Sequence, residues 1–296
     1  MFLMRMEQIG VIGLGNMGLG MAATLAAKGF TVTGFDISET RRAPAEAAGI
    51  SFTTTLADIL SSADAIVCSL PLARDVEQVL TSDGDLLERR DRKVVVIDTS
   101  TSDPATTRRL AARLAAAGHA LLDAPVSGGP SGAAQGTLTM MVGGAAEDFA
   151  LAEPVLSALS AKAIHVGPSG AGNVAKLVNN MLVAAHLVAM GEAMRLSEAA
   201  GLSAQEAISV VNTASGRSAV SEVMFPRWVL PNTFDSGFSA GLMRKDVRLA
   251  LELAAETGVS LPLCAHAGEI WGATRTSIPD TADFTRMADY RAKDAA

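Results

Sequence analysis

The pattern of apolar and polar positions divides the chain in two. Gln8 to Gly13 is a short apolar run ending in glycine, the pattern of a buried strand. Met17 to Lys28 has helical composition and stops at Gly29, a residue suited to closing a helix. Thr31 to Asp36 reads as a second strand, and Ala65 to Leu70 and Lys93 to Asp98 as two more. Between them lie alanine- and leucine-rich segments of helical spacing, such as Pro104 to Ala117. Leu121 to Asp123, Leu138 to Val142 and Ala163 to Val166 complete the strands. Alternation of strands and helices predicts parallel pairing in a doubly wound sheet. After Gly167 the pattern changes. Asn173 to Ala200 is helical almost without a break, roughly 42 Å at 1.5 Å per residue. Ser203 to Thr213, Leu242 to Thr257 and Leu261 to Gly272 follow as helices, with no further strand. The expectation is an α/β domain over residues 1–167 and an all-helical domain over 168–296, joined by the long helix from about 173 to 200.

Composition narrows the class. Charged residues are 19% and hydrophobic residues 49% of 296, too apolar a chain for disorder. A net charge of -7 argues against a general binder of phosphate backbones, so no nucleic-acid partner is expected. Cys68 and Cys264 sit in apolar stretches and read as buried thiols in a reducing cytosol; they are too few for a zinc site, and the four histidines do not cluster, so no metal site is expected. Val174 to Ala189 is the longest apolar stretch, but Lys176, Asn179, Asn180 and His186 interrupt it, and no membrane span is expected. The segment from Met1 to Met6 is too short for a secretory signal, and Met4 or Met6 could equally start the chain; the expected location is the cytoplasm.

Chemistry concentrates in four motifs. Gly13-Leu14-Gly15-Asn16-Met17-Gly18 follows a predicted strand and opens a predicted helix. Gly13 permits a tight turn, Gly15 lets backbone approach a pyrophosphate, and Gly18 lets helix and strand pack closely. Asp36 closes the second strand, where a carboxylate accepts both ribose hydroxyls of NAD and repels the 2′-phosphate of NADP. Together they predict a Rossmann-type NAD(P)-binding domain. Arg41 and Arg42 soften that preference if they fold back; the plainer reading is a solvated pair. The second motif runs from Asp123 to Pro130, with Ser127-Gly128-Gly129 at its centre. Successive glycine N–H groups beside a serine hydroxyl suit a small carboxylate. In the third, Lys176 and Asn180 lie four residues apart, on one face of the long helix. An amine among apolar neighbours gives up its proton more readily than a free lysine, which suits proton transfer near neutral pH. The fourth, Lys245-Asp246, is by itself only a charged helix start.

In their order and distances these motifs resemble the β-hydroxyacid dehydrogenase family, over about Glu7 to Tyr290. The resemblance implies a cofactor site of Gly13, Leu14, Gly15, Asn16, Met17, Gly18 and Asp36, with Leu70, Pro71, Ser100 and Thr101 as further contacts. It implies that Ser127, Gly128 and Gly129 hold the substrate carboxylate. Lys176 matches the catalytic lysine, and Asn180 the asparagine that orients the substrate oxygen. Lys245 matches a lysine reaching cofactor and substrate, with Asp246 steadying the closed cleft at the cofactor site. NADP-preferring members usually carry Asn-Arg-Thr after the second strand; Asp36-Ile37-Ser38 here favours NAD, with NADP possible. The implied reaction is reversible hydride transfer at the β-hydroxyl of a small acid such as 3-hydroxyisobutyrate. Alternatives are a tartronate semialdehyde, glyoxylate or succinate semialdehyde reductase and, in another class, a non-catalytic dinucleotide-binding scaffold. Imine reductases share the fold, but usually lack the lysine. Arg217 is a candidate grip on a second anionic group, against the plainer reading of a surface or interface charge. The apolar long helix suggests a homodimer or homotetramer.

Overall fold

The structure, a computed structural model, describes residues 6–81, 85–89 and 91–291. The candidate starts Met1 and Met4 lie outside these residues, whereas Met6 is buried in the core. The first elements are β1 Gln8–Ile12, α1 Asn16–Ala27, β2 Thr31–Phe35, α2 Arg42–Ala47, β3 Ser51–Thr53, α3 Leu56–Ser62, β4 Ala65–Cys68, α4 Ala73–Thr81, α5 Asp85–Glu88, β5 Val95–Asp98 and α6 Pro104–Ala116. Then come β6 Ala120–Asp123, β7 Val126–Ser127, α7 Gly129–Gln135, β8 Leu138–Gly143, α8 Ala146–Leu159, β9 Ser160–Gly167, α9 Ala171–Ala199, α10 Ala204–Val211, α11 Ala240–Thr257 and α12 Pro262–Ala273. Two compact units divide the chain, one ending at Lys176 and the other starting at Leu177, so the division falls inside α9.

The first unit is a sheet with the strand order β3-β2-β1-β4-β5-β6-β8-β7, and β9 pairs with β8. The pairs from β3 to β6 are parallel. Alternation along the strands builds two cores, one on each face. Val11, Val67, Ile97 and Leu122 join α1 and α8 on one side. Ile12, Ile66, Val96 and Leu121 pack with Leu60, Leu80 and Leu114 on the other. Strands buried on both faces explain why they read as unbroken apolar runs. Strand order reverses between β1 and β4, which opens a crevice outside the carboxyl ends of the strands.

The sheet departs from the expected all-parallel pairing at β8, which runs antiparallel to β6 and β7. The cause is the length of α7. Seven helical residues span only about 10 Å, too little to return the chain along the sheet before the next strand. The chain therefore re-enters from the end at which it left. The fourteen-residue α8 is long enough to cross, and β9 is parallel to β8. The short strands β3 and β7 were not expected either; three and two residues are too few to show alternation.

The second unit is helical. Ala184, Leu187, Val188 and Met194 of α9 pack with Phe225, Met243, Val247 and Trp271. By length and composition α9 passes as a membrane-crossing helix, with a mean hydropathy of 1.4 over its most apolar window. About two fifths of that window is buried in the protein core. Residues Val220–Val229 form a π-helix containing Pro226, which apolar spacing at 3.6 residues could not reveal. Arg244 stitches α11 to the C-terminal segment, donating to the Trp271 and Ile278 carbonyls, Thr274 Oγ1 and Asp280.

Candidate active site

The turn after β1 is built for close approach. Gly13 has φ 89°, and a Cβ there would lie 2.4 Å from the Ser69 carbonyl oxygen. At Gly18 a Cβ would sit 1.8 Å from the Gly13 oxygen, so this position admits only glycine. Gly15 differs: nothing lies within 4 Å of the Cβ direction, and no side chain caps the helix it precedes. Open space before an uncapped helix N-terminus fits a dinucleotide pyrophosphate. Leu14 is fully buried, whereas Asn16 is exposed. Asp36 is fixed by accepting the Leu14 N–H at 2.7 Å and the Ser38 N–H at 2.8 Å. Its neighbour Ile37 is 94% exposed. The two arginines part company here: Arg42 pairs with Glu39 and Glu46 and lies over Phe52, whereas Arg41 makes no such contact among the described residues.

The loops after β4 and β5 are joined. The Leu70 N–H donates to Ser100 Oγ at 2.9 Å, and the Ser100 N–H donates to Asp98 Oδ1 at 3.0 Å. Ser100 is buried, Pro71 is exposed, and Thr101 is half-buried. These residues and the Gly13 turn all follow the carboxyl ends of adjacent strands, where the fold leaves its crevice.

The loop after β6 carries Ser127, which is exposed and whose hydroxyl has no hydrogen-bond partner among the described residues. Gly128 and Gly129 follow at φ 128° and 63°, positive values that favour glycine. Lys176 is 9% exposed, and its Nζ donates to the Val126 carbonyl at 2.9 Å, next to Ser127. The structure thus brings the predicted lysine to the predicted carboxylate loop. Beneath them Asp123 is wholly buried and accepts the N–H groups of Gly170 and Asn173 at 2.8 and 2.9 Å. Burial pushes the Asp123 carboxyl above its usual range, and the backbone N–H groups partly offset this.

In the second unit Asn180, Lys245 and Asp246 come together. Asn180 Nδ2 donates to Asp246 Oδ2 at 2.6 Å, and Asn180 Oδ1 accepts from Asn179 Nδ2. Lys245 Nζ lies 3.4 Å from Asp246 Oδ1, an ion pair whose geometry falls short of a hydrogen bond. An acceptor-only carboxylate settles the orientation of the Asn180 amide and leaves its oxygen turned away from Asp246. Arg217 is exposed, and its guanidinium has no partner among the described residues. In the nearby loop Phe234 holds φ 47° while packed in the core under Arg286.

Sequence spacing missed the fixing contacts: Val126, whose carbonyl is the one that counts; Asp246 as the partner of Asn180; and the buried Asn173. The signal available was a polar residue, Asn173, inside a run of glycine and alanine, but spacing alone does not say which polar residues are buried.

Residues 8–167 match the family model of the NAD-binding domain of 6-phosphogluconate dehydrogenase. Residues 170–291 match that of the NAD-binding domain of NADP-dependent 3-hydroxyisobutyrate dehydrogenase. Among curated relatives, 2-(hydroxymethyl)glutarate dehydrogenase of Eubacterium barkeri is 37% identical, over 89% of this chain and 88% of its own. An NAD-dependent L-serine dehydrogenase of Pseudomonas aeruginosa is 39% identical, over 87% of this chain and 89% of its own. Among solved structures, 3-hydroxyisobutyrate dehydrogenase of Mycobacterium tuberculosis with L-serine superposes with a TM-score of 0.88 at 36% identity, covering 96% of this chain and 99% of that one. On these matches, and with the motifs placed as described, the chain belongs to the β-hydroxyacid dehydrogenase family of NAD(P)-dependent oxidoreductases.

Proposed function

We propose that the chain oxidises the β-hydroxyl of a small hydroxy acid of the 3-hydroxyisobutyrate type, reversibly and with NAD preferred. The observation that carries this is the buried Lys176, held by Val126 beside the exposed Ser127 hydroxyl. In this reading Ser127 and the N–H groups of Gly128 and Gly129 receive the substrate carboxylate. Lys176 Nζ takes the hydroxyl proton in oxidation and returns it in reduction. Its bond to Val126 fixes where the remaining proton or lone pair points. Asn180, oriented by Asp246, steadies the substrate oxygen. The Gly13–Gly18 turn and Asp36 hold NAD, which supplies the two-electron acceptor when bound. Proton transfer of this kind contributes about 10² to 10⁴ in rate.

The test is Lys176→Ala, assayed with 3-hydroxyisobutyrate, L-serine and 2-(hydroxymethyl)glutarate. We expect kcat to fall at least 100-fold with NAD affinity retained; near-normal turnover would refute the assignment. The panel also addresses the substrate, since the names of the relatives span all three acids. Tight NAD binding by the wild type, with no turnover of any β-hydroxy acid, would favour a scaffold.

A further inference from the structure

Asn173 occupies a position that the reaction does not itself require. Its side chain is fully buried on the first turn of α9, three residues before Lys176. Oδ1 accepts the Ser102 N–H at 3.1 Å, from the loop that carries Ser100 and Thr101. Nδ2 donates to Thr107 Oγ1 at 3.0 Å, on α6. The Asn173 backbone N–H donates to Asp123, on the strand that leads to Ser127. Space has been cleared around this junction: a Cβ on Gly143 would lie 2.6 Å from Asp123 Oδ1, and one on Gly172 2.3 Å from the Asp123 carbonyl oxygen. Four segments therefore meet at three buried polar side chains, Asp123, Asn173 and Thr107: the loop after β5, α6, the end of β6 and the start of α9. The amide cannot flip without setting N–H against N–H at Ser102. A buried network of this kind is rigid when satisfied and costly when one member is lost.

We propose that Asn173 is a positioning residue: it couples the loop after β5 to the first turn of α9 and so sets the direction of Lys176 Nζ. The inference rests on Lys176 as the acid/base. It concerns register between groups, so truncation affects kcat more than affinity. Asn173→Ala is expected to lower kcat about tenfold while KM for the acid and for NAD stay within about threefold. The deciding measurement is a double-mutant cycle with Lys176→Ala, assayed with the fastest of the three acids named above. If Asn173 acts through the lysine, adding Asn173→Ala to Lys176→Ala lowers kcat by less than twofold. If the two losses multiply, Asn173 acts independently of the lysine and the proposal is overturned. A rise in KM for NAD that matches the fall in kcat overturns it as well. Thr107→Val removes only the Nδ2 contact, and it carries the same cycle if Asn173→Ala does not fold; its expected loss is about threefold. Near-normal turnover of Lys176→Ala alone is a different result, because it removes the acid/base reading itself and the inference with it.

Discussion

Asp36 accepts with one oxygen from its own turn and with the other from the turn after β1, so its carboxylate stands in one place. A fixed negative charge selects between ribose hydroxyls and a 2′-phosphate more sharply than a mobile one. Asp36→Asn keeps an acceptor and removes the charge. It should raise kcat/KM with NADP relative to NAD at least tenfold, about 1.4 kcal/mol of discrimination; an unchanged ratio would show that selection lies elsewhere. The close turn after β1 was legible in sequence because glycine spacing records a steric demand, and at Gly18 that demand is a Cβ 1.8 Å from a carbonyl oxygen. Asp246 was legible, by resemblance, as a residue steadying the cleft, but not as the partner of Asn180. That it orients Asn180 depends on a contact across 66 positions of chain, and no local pattern encodes such a contact.

At the scale of elements, the long strands and helices of the first unit followed from apolar runs and glycine stops. What escaped was direction and brevity. β8 runs antiparallel because α7 is short, and β3 and β7 are too brief to show a period. The amino end of β4 has its own fastening. Asp64 accepts the N–H groups of Glu7 and Gln8, each at 3.0 Å, and pairs with Arg92. Burial alone would raise the Asp64 carboxyl, but the Gln8 and Glu7 N–H groups and Arg92 outweigh it and hold it below its usual value. A carboxyl depressed in the folded state stabilises above the unfolded pKa, near 4, and that contribution is lost as pH falls through the folded value. Asp64→Asn should therefore cost about 1–3 kcal/mol at pH 7. The gap between wild type and variant should narrow towards pH 3. Denaturant titrations at the two pH values measure it, and a gap independent of pH would contradict the account.

At the scale of the molecule, α9 is buried on one side and leaves Val178, Leu182 and Leu196 exposed on another, Leu196 to 73%. A solvent-facing row of this kind is the candidate surface for the homodimer or homotetramer expected from sequence. Sedimentation at micromolar concentration should give two or four times the 30.4 kDa of one chain, and Leu182→Glu should shift the mass towards the single chain. A mass of one chain in the wild type would remove the oligomer. The reversed strand β8 has its own consequence for how substrate is met. Because β8 turns back beside β7, Ser127 is paired with Thr139 and Val126 with Met140. The Val126–Ser127 segment is thus laced into the sheet before any ligand arrives. Its amides should exchange with deuterated solvent slowly in the free protein, whereas those of Gly128 and Gly129, which the proposed site turns to the substrate carboxylate, should be slowed by saturation with substrate. A recognition loop already ordered contributes little entropic penalty to binding, so discrimination among hydroxy acids falls to the side chains that meet the far end of the molecule.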